Sequence, residues 1–594
     1  MNAGFVTYLA AALVVLVGGA VTPAVADQPA SLPLRIDRNV RIPMRDGVTL
    51  GAVVYRPADG DARLPVIATL TPYLADRFHD IGSYFAQQGY VVALIDCRGR
   101  GDSGGEFDPW MSDASDYYDA LEWLASRPYA DGQTATWGGS YGGKNQWAVA
   151  GLKPPSLRTI APDAAGFVGF DMGMRRNVPF SYMQRWLTMI SGKAGNRRLF
   201  EDVSYWNAVY TELSRGEVPW RKLDELSGNP SPIWKRWVDH PMMDAFWDAP
   251  SPTSEQFAKI DIPVLSVTGM YDDAQLGTLE FRRRHHERAS AAALLRHYTV
   301  LGPWTHAGTR VPNALVGGLD FGPASLVDMK KLHLEWYDWT MKGGRAPAFL
   351  QDRFVYFITG SNRWSYAGDL QAATVRTEVL SLSSLRTRGD SMAERGQLLE
   401  KASAQASDSY VYDPSLPAHN EGVEGEESVS PRYLVDDTSV TRLSGDGLIY
   451  DTDGYPDGAE MVGRPVVRLW LSMDVPDTDI RVQLFEARND GSVVFLGHDW
   501  IRARYRNDPR QATLVRPGKR EQYVFDQFPF MARSLSPGSR LRLAISPLGA
   551  SIHQQRNRNS GGVVADETAR DNRIAHISVA LGPKLSTLTV PYGR

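Results

Sequence analysis

One serine stands between glycines in Ala135-Thr136-Trp137-Gly138-Gly139-Ser140-Tyr141-Gly142-Gly143-Lys144. A β-favouring run, Thr134 to Trp137, leads into it, and Lys144 to Ala150 can be helical. A Gly-x-Ser-x-Gly turn from strand to helix exposes a serine Oγ, because the glycines let the two elements pack closely. The helix N-terminus then lies where negative charge develops during attack on a carbonyl. A hydroxyl is a poor nucleophile until a neighbouring base takes its proton. Two later stretches supply suitable groups. Gly269-Met270-Tyr271-Asp272 follows the apolar run Ile262 to Thr268, and Gly302-Pro303-Trp304-Thr305-His306 follows His297 to Leu301. His306 is the candidate base, and Asp272 the carboxylate that holds its tautomer and stabilises the imidazolium. Asp273 stands next to Asp272. Alternate residues of a strand point to opposite faces, so only one of the two is expected to face His306. Asp272, directly off the strand end, is preferred.

The chain order Ser140, Asp272, His306 is that of α/β-hydrolases, whose catalytic groups sit outside the carboxyl ends of the strands. The elements that must position these groups fit that architecture. Val40 to Pro43 and Val48 to Tyr55 read as a hairpin joined through Asp46-Gly47. Leu64 to Leu70 and Tyr90 to Ile95 are continuous apolar runs, as expected of strands buried on both faces. Helical patterns alternate with them at Ile81 to Gln88 and Ser115 to Ser126, and Arg158 to Ala161 is a further short strand. From Gly166 to Pro250 no buried strand is evident. Segments rich in Trp, Tyr, Met and Arg read as helices there, as in an insertion that caps a site. The α/β pattern resumes at Ile262 and closes with the helix Val327 to Met341. Beyond Pro347, short alternating runs separated by turns read as an antiparallel β-sandwich. Ala402 to Ser430 is polar and reads as a long surface loop.

Other motifs carry structure rather than chemistry. Gly99-Arg100-Gly101-Asp102-Ser103-Gly104 matches a dinucleotide-loop spacing, but no helix opens there, so a tight loop at the sheet's upper edge is expected. Arg282-Arg283-Arg284-His285-His286-Glu287-Arg288 is expected to be a solvated basic face, since adjacent helix histidines do not form a metal pair. Cys97, the sole cysteine, follows an apolar run and is expected to be a buried, inert thiol.

A chain of 594 residues exceeds one core. With 43% hydrophobic and 22% charged residues it is not a disordered polymer, and a net charge of −4 gives no basis for nucleic acid or anionic membrane as partner. The first 26 residues carry no charged side chain, Tyr8 to Val21 is nearly all apolar, and Ala24-Val25-Ala26 is a small-x-small site. That reads as a secretory signal peptide cleaved after Ala26, leaving a secreted or periplasmic protein without a membrane partner. The apolar run is too short to span a bilayer. No metal or cofactor is implied, and oligomeric state is not readable.

These residues resemble the CocE/NonD-type serine hydrolases, typified by cocaine esterase and X-Pro dipeptidyl-peptidases. The elbow at Ser140, the Gly-Met-Tyr-Asp and Gly-Pro-Trp-x-His motifs, Asp96-Cys97-Arg98-Gly99, Pro476-Asp477-Thr478-Asp479 and Arg502-Ala503-Arg504-Tyr505-Arg506 all look family-like. The resemblance covers nearly all of the chain after residue 26. It implies an α/β-hydrolase domain (32–165 with 251–346), a helical cap (166–250) and a C-terminal jelly-roll (347–594). It also implies an oxyanion hole made by the Tyr73 hydroxyl, in Thr71-Pro72-Tyr73, with the Tyr141 amide. The ester-hydrolase branch that binds α-ammonium substrates has acids two and three places after the triad aspartate. Here those places hold Ala274 and Gln275. The extra N-terminal domain of the lactic-acid bacterial dipeptidyl-peptidases finds no room before the first strand. An ester or amide acyl hydrolase acting on small molecules is therefore expected, with Trp186, Trp206, Trp247 and Trp304 as candidate pocket aromatics. The alternatives are an X-Pro exopeptidase, with Asp273, Asp163 or Asp171 as the carboxylate for the peptide amine, and an inert scaffold that binds carbohydrate or another ligand.

Overall fold

The computed structural model describes residues 33–58, 62–384, 395–401, 405–418, 432–436 and 447–593. The segment expected to be a signal peptide, and 402–404 and 419–430 of the polar stretch, lie outside them; within that stretch Ala406–Tyr412 is not loop but a strand paired antiparallel with Ala575–Leu581, with Tyr410 and Tyr412 buried. The first sheet is built from β1 (Leu34–Pro43), β2 (Thr49–Pro57), β3 (Leu64–Thr71), β4 (Val91–Asp96), β5 (Ala130–Gly139) and β6 (Leu157–Asp163). After two short hairpin strands, β7 (Met174–Arg175) and β8 (Val178–Pro179), it continues with β9 (Val264–Tyr271) and β10 (His297–Thr305). A second pair of two-residue strands, β11 (Leu315–Val316) and β12 (Leu319–Asp320), precedes β13 (Phe354–Ile358) and β14 (Arg363–Ala367). The sheet order is β1-β2-β4-β3-β5-β6-β9-β10-β13-β14. Its strands pair in parallel from β4 to β13, with antiparallel edges. Because β13 and β14 join this sheet, the first alternating run after Pro347 extends it instead of opening the β-sandwich.

The continuous apolar runs are explained by two cores. In β4, Val91, Ala93 and Ile95 face one side with Tyr117, Leu121 and Trp147. Val92 and Leu94 face the other, with Phe85, Trp336 and Tyr337. Helices α1 (His79–Gln87), α2 (Asp113–Ala125) and α3 (Tyr141–Gly151), and the later helix Met329–Lys342, supply these partners. A strand with both faces covered has no position where a polar residue gains water.

Between β6 and β9 the chain leaves the sheet and forms helices including Tyr182–Met189, Val203–Arg215 and Pro232–Val238. The C-terminal β-rich domain, a largely antiparallel sheet, follows β14, and its core is continuous with Met270, Leu301 and Phe354 of the first sheet. Among the described residues no helix is long and apolar enough to cross a membrane.

The basic run on the helix Gln275–Arg288 is solvated on one side only. Arg282 and His285 are buried, and Arg282 donates to Thr299 Oγ1 at 3.1 Å and to Asp369 at 3.3 Å. His285, His286 and His297 gather with ring centroids 5.1–6.3 Å apart. His285 Nδ1 meets His297 Nδ1 at 3.0 Å, and His297 Nε2 meets Ser266 Oγ at 3.1 Å. Arg283, Arg284, Glu287 and Arg288 stay toward solvent, with Arg283 and Arg284 paired to Glu280. The helix packs on the sheet, and the 100° step of a helix sends part of any charged run inward. Burial first, and then Arg282 with the neighbouring imidazoles, pulls all three histidines below their ordinary value, His286 to about 3.

A group whose pKa is depressed by folding destabilises the fold as pH drops, because the unfolded chain takes up its proton first. Stability from this cluster is full above about pH 6.5 and is lost as pH falls toward the folded values. The urea midpoint is therefore expected to drop between pH 6 and 4, and His286→Gln to flatten that drop. An unchanged slope in the variant refutes the assignment.

Candidate active site

β5 ends at Gly139, and α3 begins at Tyr141. Ser140, the link between them, adopts φ 60°, ψ −120°, a conformation L-residues avoid. Its N–H donates to Asp163 O at 2.9 Å, and its carbonyl accepts from Lys144 N at 3.0 Å. Gly138 has φ 141°, and a Cβ there would lie 3.0 Å from Thr69 Oγ1. At Gly143 a Cβ would lie 2.5 Å from Asp163 O, and at Gly139 one would come closer still to the Arg310 guanidinium. Gly142, the second glycine of the motif, has more room, since its Cβ would be 3.8 Å from Thr69 Oγ1. Tyr141 opens α3, so its N–H has no carbonyl one turn earlier to receive it.

Asp272 follows β9, with its side chain sealed from solvent. Oδ2 accepts from Thr268 Oγ1 at 2.8 Å, and Oδ1 accepts from Ala274 N at 2.9 Å and from His306 Nδ1 at 2.8 Å. Asp273 also reaches the imidazole: its Oδ1 lies 3.1 Å from His306 Nδ1, and its side chain is 68% exposed. The expectation that only one of the pair can face His306 does not hold. Strand alternation ends at Tyr271, and both aspartates sit in the turn beyond it. Burial alone favours a neutral ring, but the Asp273 and Asp272 carboxylates outweigh it and hold His306 well above its ordinary pKa. The strand-like run before His306 is longer than His297 to Leu301. The structure carries β10 through Gly302-Pro303-Trp304-Thr305, with an irregularity in its register against β9.

Ser140, Tyr73, Tyr141, Asp272, Asp273 and His306 line one cavity of about 220 Å³. Among the described residues no hydrogen bond joins Ser140 Oγ to His306, a contact that is often long before substrate binds. The Tyr73 hydroxyl accepts from Trp186 Nε1 at 3.1 Å, which leaves its own proton to donate elsewhere. Of the four candidate pocket tryptophans only Trp186 lines the cavity. Trp206, Trp247 and Trp304 are buried elsewhere, with indole N–H groups committed to the carbonyls of Leu199, His240 and Ser325. Helical spacing identifies an inward face, and it cannot tell a core from a pocket. Of the candidate amine-binding carboxylates, Asp163 is fully buried against His333, 3.2 Å away, and does not line the cavity. Asp171 does line it, but its oxygens accept from the N–H groups of Phe167 and Gly277. Burial pushes its carboxyl well above the usual range.

Two contributions were not expected from the sequence. Arg100, in the glycine-rich loop after β4, is fully buried and donates to the carbonyls of Pro72 (2.9 Å), Ile190 (2.7 Å), Ala194 (3.2 Å) and Gly192. It ties the Tyr73 loop to the cap, and an arginine among small residues at a strand end was the available signal. The C-terminal domain closes the cavity with Phe495, Leu496, His498 and Trp500. Gln275 bonds to Phe530 through both its amide nitrogen and oxygen, which docks that domain onto the acid turn.

Two family models match in sequence. The X-Pro dipeptidyl-peptidase (S15 family) model covers residues 46–308, and the X-Pro dipeptidyl-peptidase C-terminal non-catalytic domain covers 337–570. The chain belongs to this family of CocE/NonD-type serine hydrolases. Cocaine esterase from Rhodococcus sp. (strain MB1 Bresler) is 26% identical over 579 residues, 92% of this chain and 96% of that protein. Among solved family folds, an α-amino acid ester hydrolase superposes with TM-score 0.80 at 20% identity, covering 96% of this chain and 99% of that one. An aminopeptidase from a marine sediment archaeon, Thaumarchaeota archaeon, does so with TM-score 0.79 at 22% identity, covering 97% and 98%.

Arg100→Ala would strand several buried carbonyls. Each unsatisfied group costs about 1–3 kcal/mol, so urea unfolding should show a loss of at least about 2 kcal/mol. A variant as stable as the parent would mean that the loop and cap are held some other way.

Proposed function

We propose that this serine hydrolase is exported and cleaves carboxylic esters or amides through an acyl-enzyme. The observation that carries the reading is the convergence of Ser140, the Asp272–His306 pair and the Trp186-bonded Tyr73 hydroxyl on one cavity. His306 takes the Ser140 proton as Oγ attacks the carbonyl, then returns it to the leaving group. Asp272 fixes the proton on Nδ1, because a carboxylate can only accept there. The Tyr73 O–H and the Tyr141 N–H receive the oxyanion. Water then repeats the sequence on the acyl-enzyme. Ala24-Val25-Ala26 after the apolar run supports export.

Ester cleavage is supported by the near full-length similarity to cocaine esterase. It is also supported by Ala274 and Gln275 beside the acid turn, since Gln275 is committed to Phe530. The dipeptidyl-peptidase reading is favoured by one specific observation: Asp273 is exposed within the cavity. Rates on p-nitrophenyl acyl esters, a benzoyl ester and Gly-Pro-p-nitroanilide separate the two. The esters are expected to be faster, and a strong preference for the anilide overturns the ranking.

Two further outcomes are expected. Tyr73→Phe should lower kcat by about 10²–10³ with folding kept, and near-full activity would remove Tyr73 from the site. The base must be neutral to act, so activity falls as pH drops through the raised His306 pKa. The acid limb of kcat/KM should thus lie above the ordinary histidine value of about 6.5. Asp273→Asn should move it downward by removing one of the two charges that raise it. A limb unmoved by that substitution would show that Asp273 does not act on His306.

A further inference from the structure

The cavity wall opposite in sequence to the elbow comes from the C-terminal strand Val493–Arg502. In a regular strand only alternate residues share a face. Here Phe495, Leu496, Gly497 and His498 all line the cavity, and so does Trp500. The register against the neighbouring strand Asp479–Ala487 explains this. Leu484 pairs with Gly497, but Phe485 pairs with Phe495, so Leu496 is an extra residue without a partner. Such a bulge re-aims side chains and is over-represented next to active sites. Gly497 is held close by Pro529, whose Cγ would lie 2.8 Å from an added Cβ. The bulge is thereby locked, and His498 is turned into the cavity.

The imidazole stands edge-on to Phe495 (centroids 5.6 Å) and Trp500 (5.0 Å). Its backbone carbonyl accepts from Arg175 Nη2 at 2.9 Å, and the Arg175 guanidinium lies 4.3 Å over the Trp500 ring. His498 Nδ1 is sealed from solvent with no hydrogen-bond partner. A buried N–H without an acceptor is costly, so the proton belongs on Nε2, which makes no hydrogen bond among the described residues. Burial, and then the cations Arg175 and Arg481, hold the ring neutral. Three neighbouring features, the bulge, the aromatic flanks and the sealed Nδ1, leave one polar function facing the cavity.

We propose that His498 is a specificity-determining residue, an uncharged donor that holds through Nε2–H a second neutral oxygen acceptor of the substrate, distinct from the scissile carbonyl. This rests on the hydrolase reading above and deepens it. It assigns the substrate class as neutral esters bearing a further carbonyl or ether oxygen in the acyl or alcohol part. A positively charged group at that position would meet Arg175 and a donor with no acceptor to offer.

The test compares p-nitrophenyl pentanoate with isosteres in which one chain methylene is replaced by oxygen. A parallel series of benzoate esters carries the replacement in the alcohol. Wild type, His498→Phe and His498→Asn are assayed after circular dichroism confirms folding. Wild type should favour one oxygen isomer over its parent ester by about tenfold in kcat/KM. His498→Phe, which keeps a flat ring without a donor, should abolish that ratio, and His498→Asn, which keeps an N–H donor, should restore part of it. A ratio unchanged in His498→Phe, or no oxygen preference in wild type, overturns the His498 assignment while hydrolysis itself stands. Failure of wild type to cleave any ester overturns the ester reading and this inference together.

Discussion

The backbone of a single residue constrains the rest of this molecule. Ser140 is held at φ 60°, ψ −120°, a conformation that costs on the order of 1–3 kcal/mol and persists only where its surroundings over-determine it. The surroundings do so. The Asp163 carbonyl at the end of β6 accepts the Ser140 N–H, and Gly143 lets that same carbonyl approach α3. Asp163 is in turn braced by His333 from the helix Met329–Lys342. A strand, two helices and a buried polar pair thus converge on one peptide. The serine leaves the sheet at the top of β5 with its side chain in the cavity, and β9 and β10 carry their acid and imidazole to the same end.

The acid turn and the C-terminal domain depend on one another in a similar way. Asp272 is fully engaged by Thr268, Ala274 and His306, so it can hardly move without disturbing β9. Three residues after Asp272, Gln275 fastens to Phe530. Arg175 and Arg176, from the cap hairpin, reach Asp499 in the strand that carries His498. The cavity therefore has walls from the sheet, the inserted helices and the β-rich domain. Its shape is a property of the whole chain, and the β-rich domain takes part in the site although its family model is described as non-catalytic.

Much of this was legible in the sequence, for identifiable reasons. Ser140, Asp272 and His306 announce themselves because each follows a buried strand and is flanked by glycine or proline. The β3 and β4 runs were plain because strands covered on both faces admit little but apolar residues. Asp273 reaches His306 because strand alternation stops at Tyr271 and does not govern the turn beyond it. The basic run on Gln275–Arg288 was misread because charge alone does not show which side of a helix meets the sheet. Trp206, Trp247 and Trp304 could not be told from pocket residues, since a tryptophan packs alike against a core or a ligand. His498 was beyond reach: its exposure to the cavity depends on a register slip between two strands, and no local pattern encodes that.

In the proposed mechanism Ser140 is the residue that becomes acylated. Intact-protein mass spectrometry after treatment with a fluorophosphonate tests it most directly. One adduct per chain, mapped to the peptide containing Ser140 and absent from Ser140→Ala, is the predicted result. An adduct on another residue, or none on a folded wild-type chain, would contradict it.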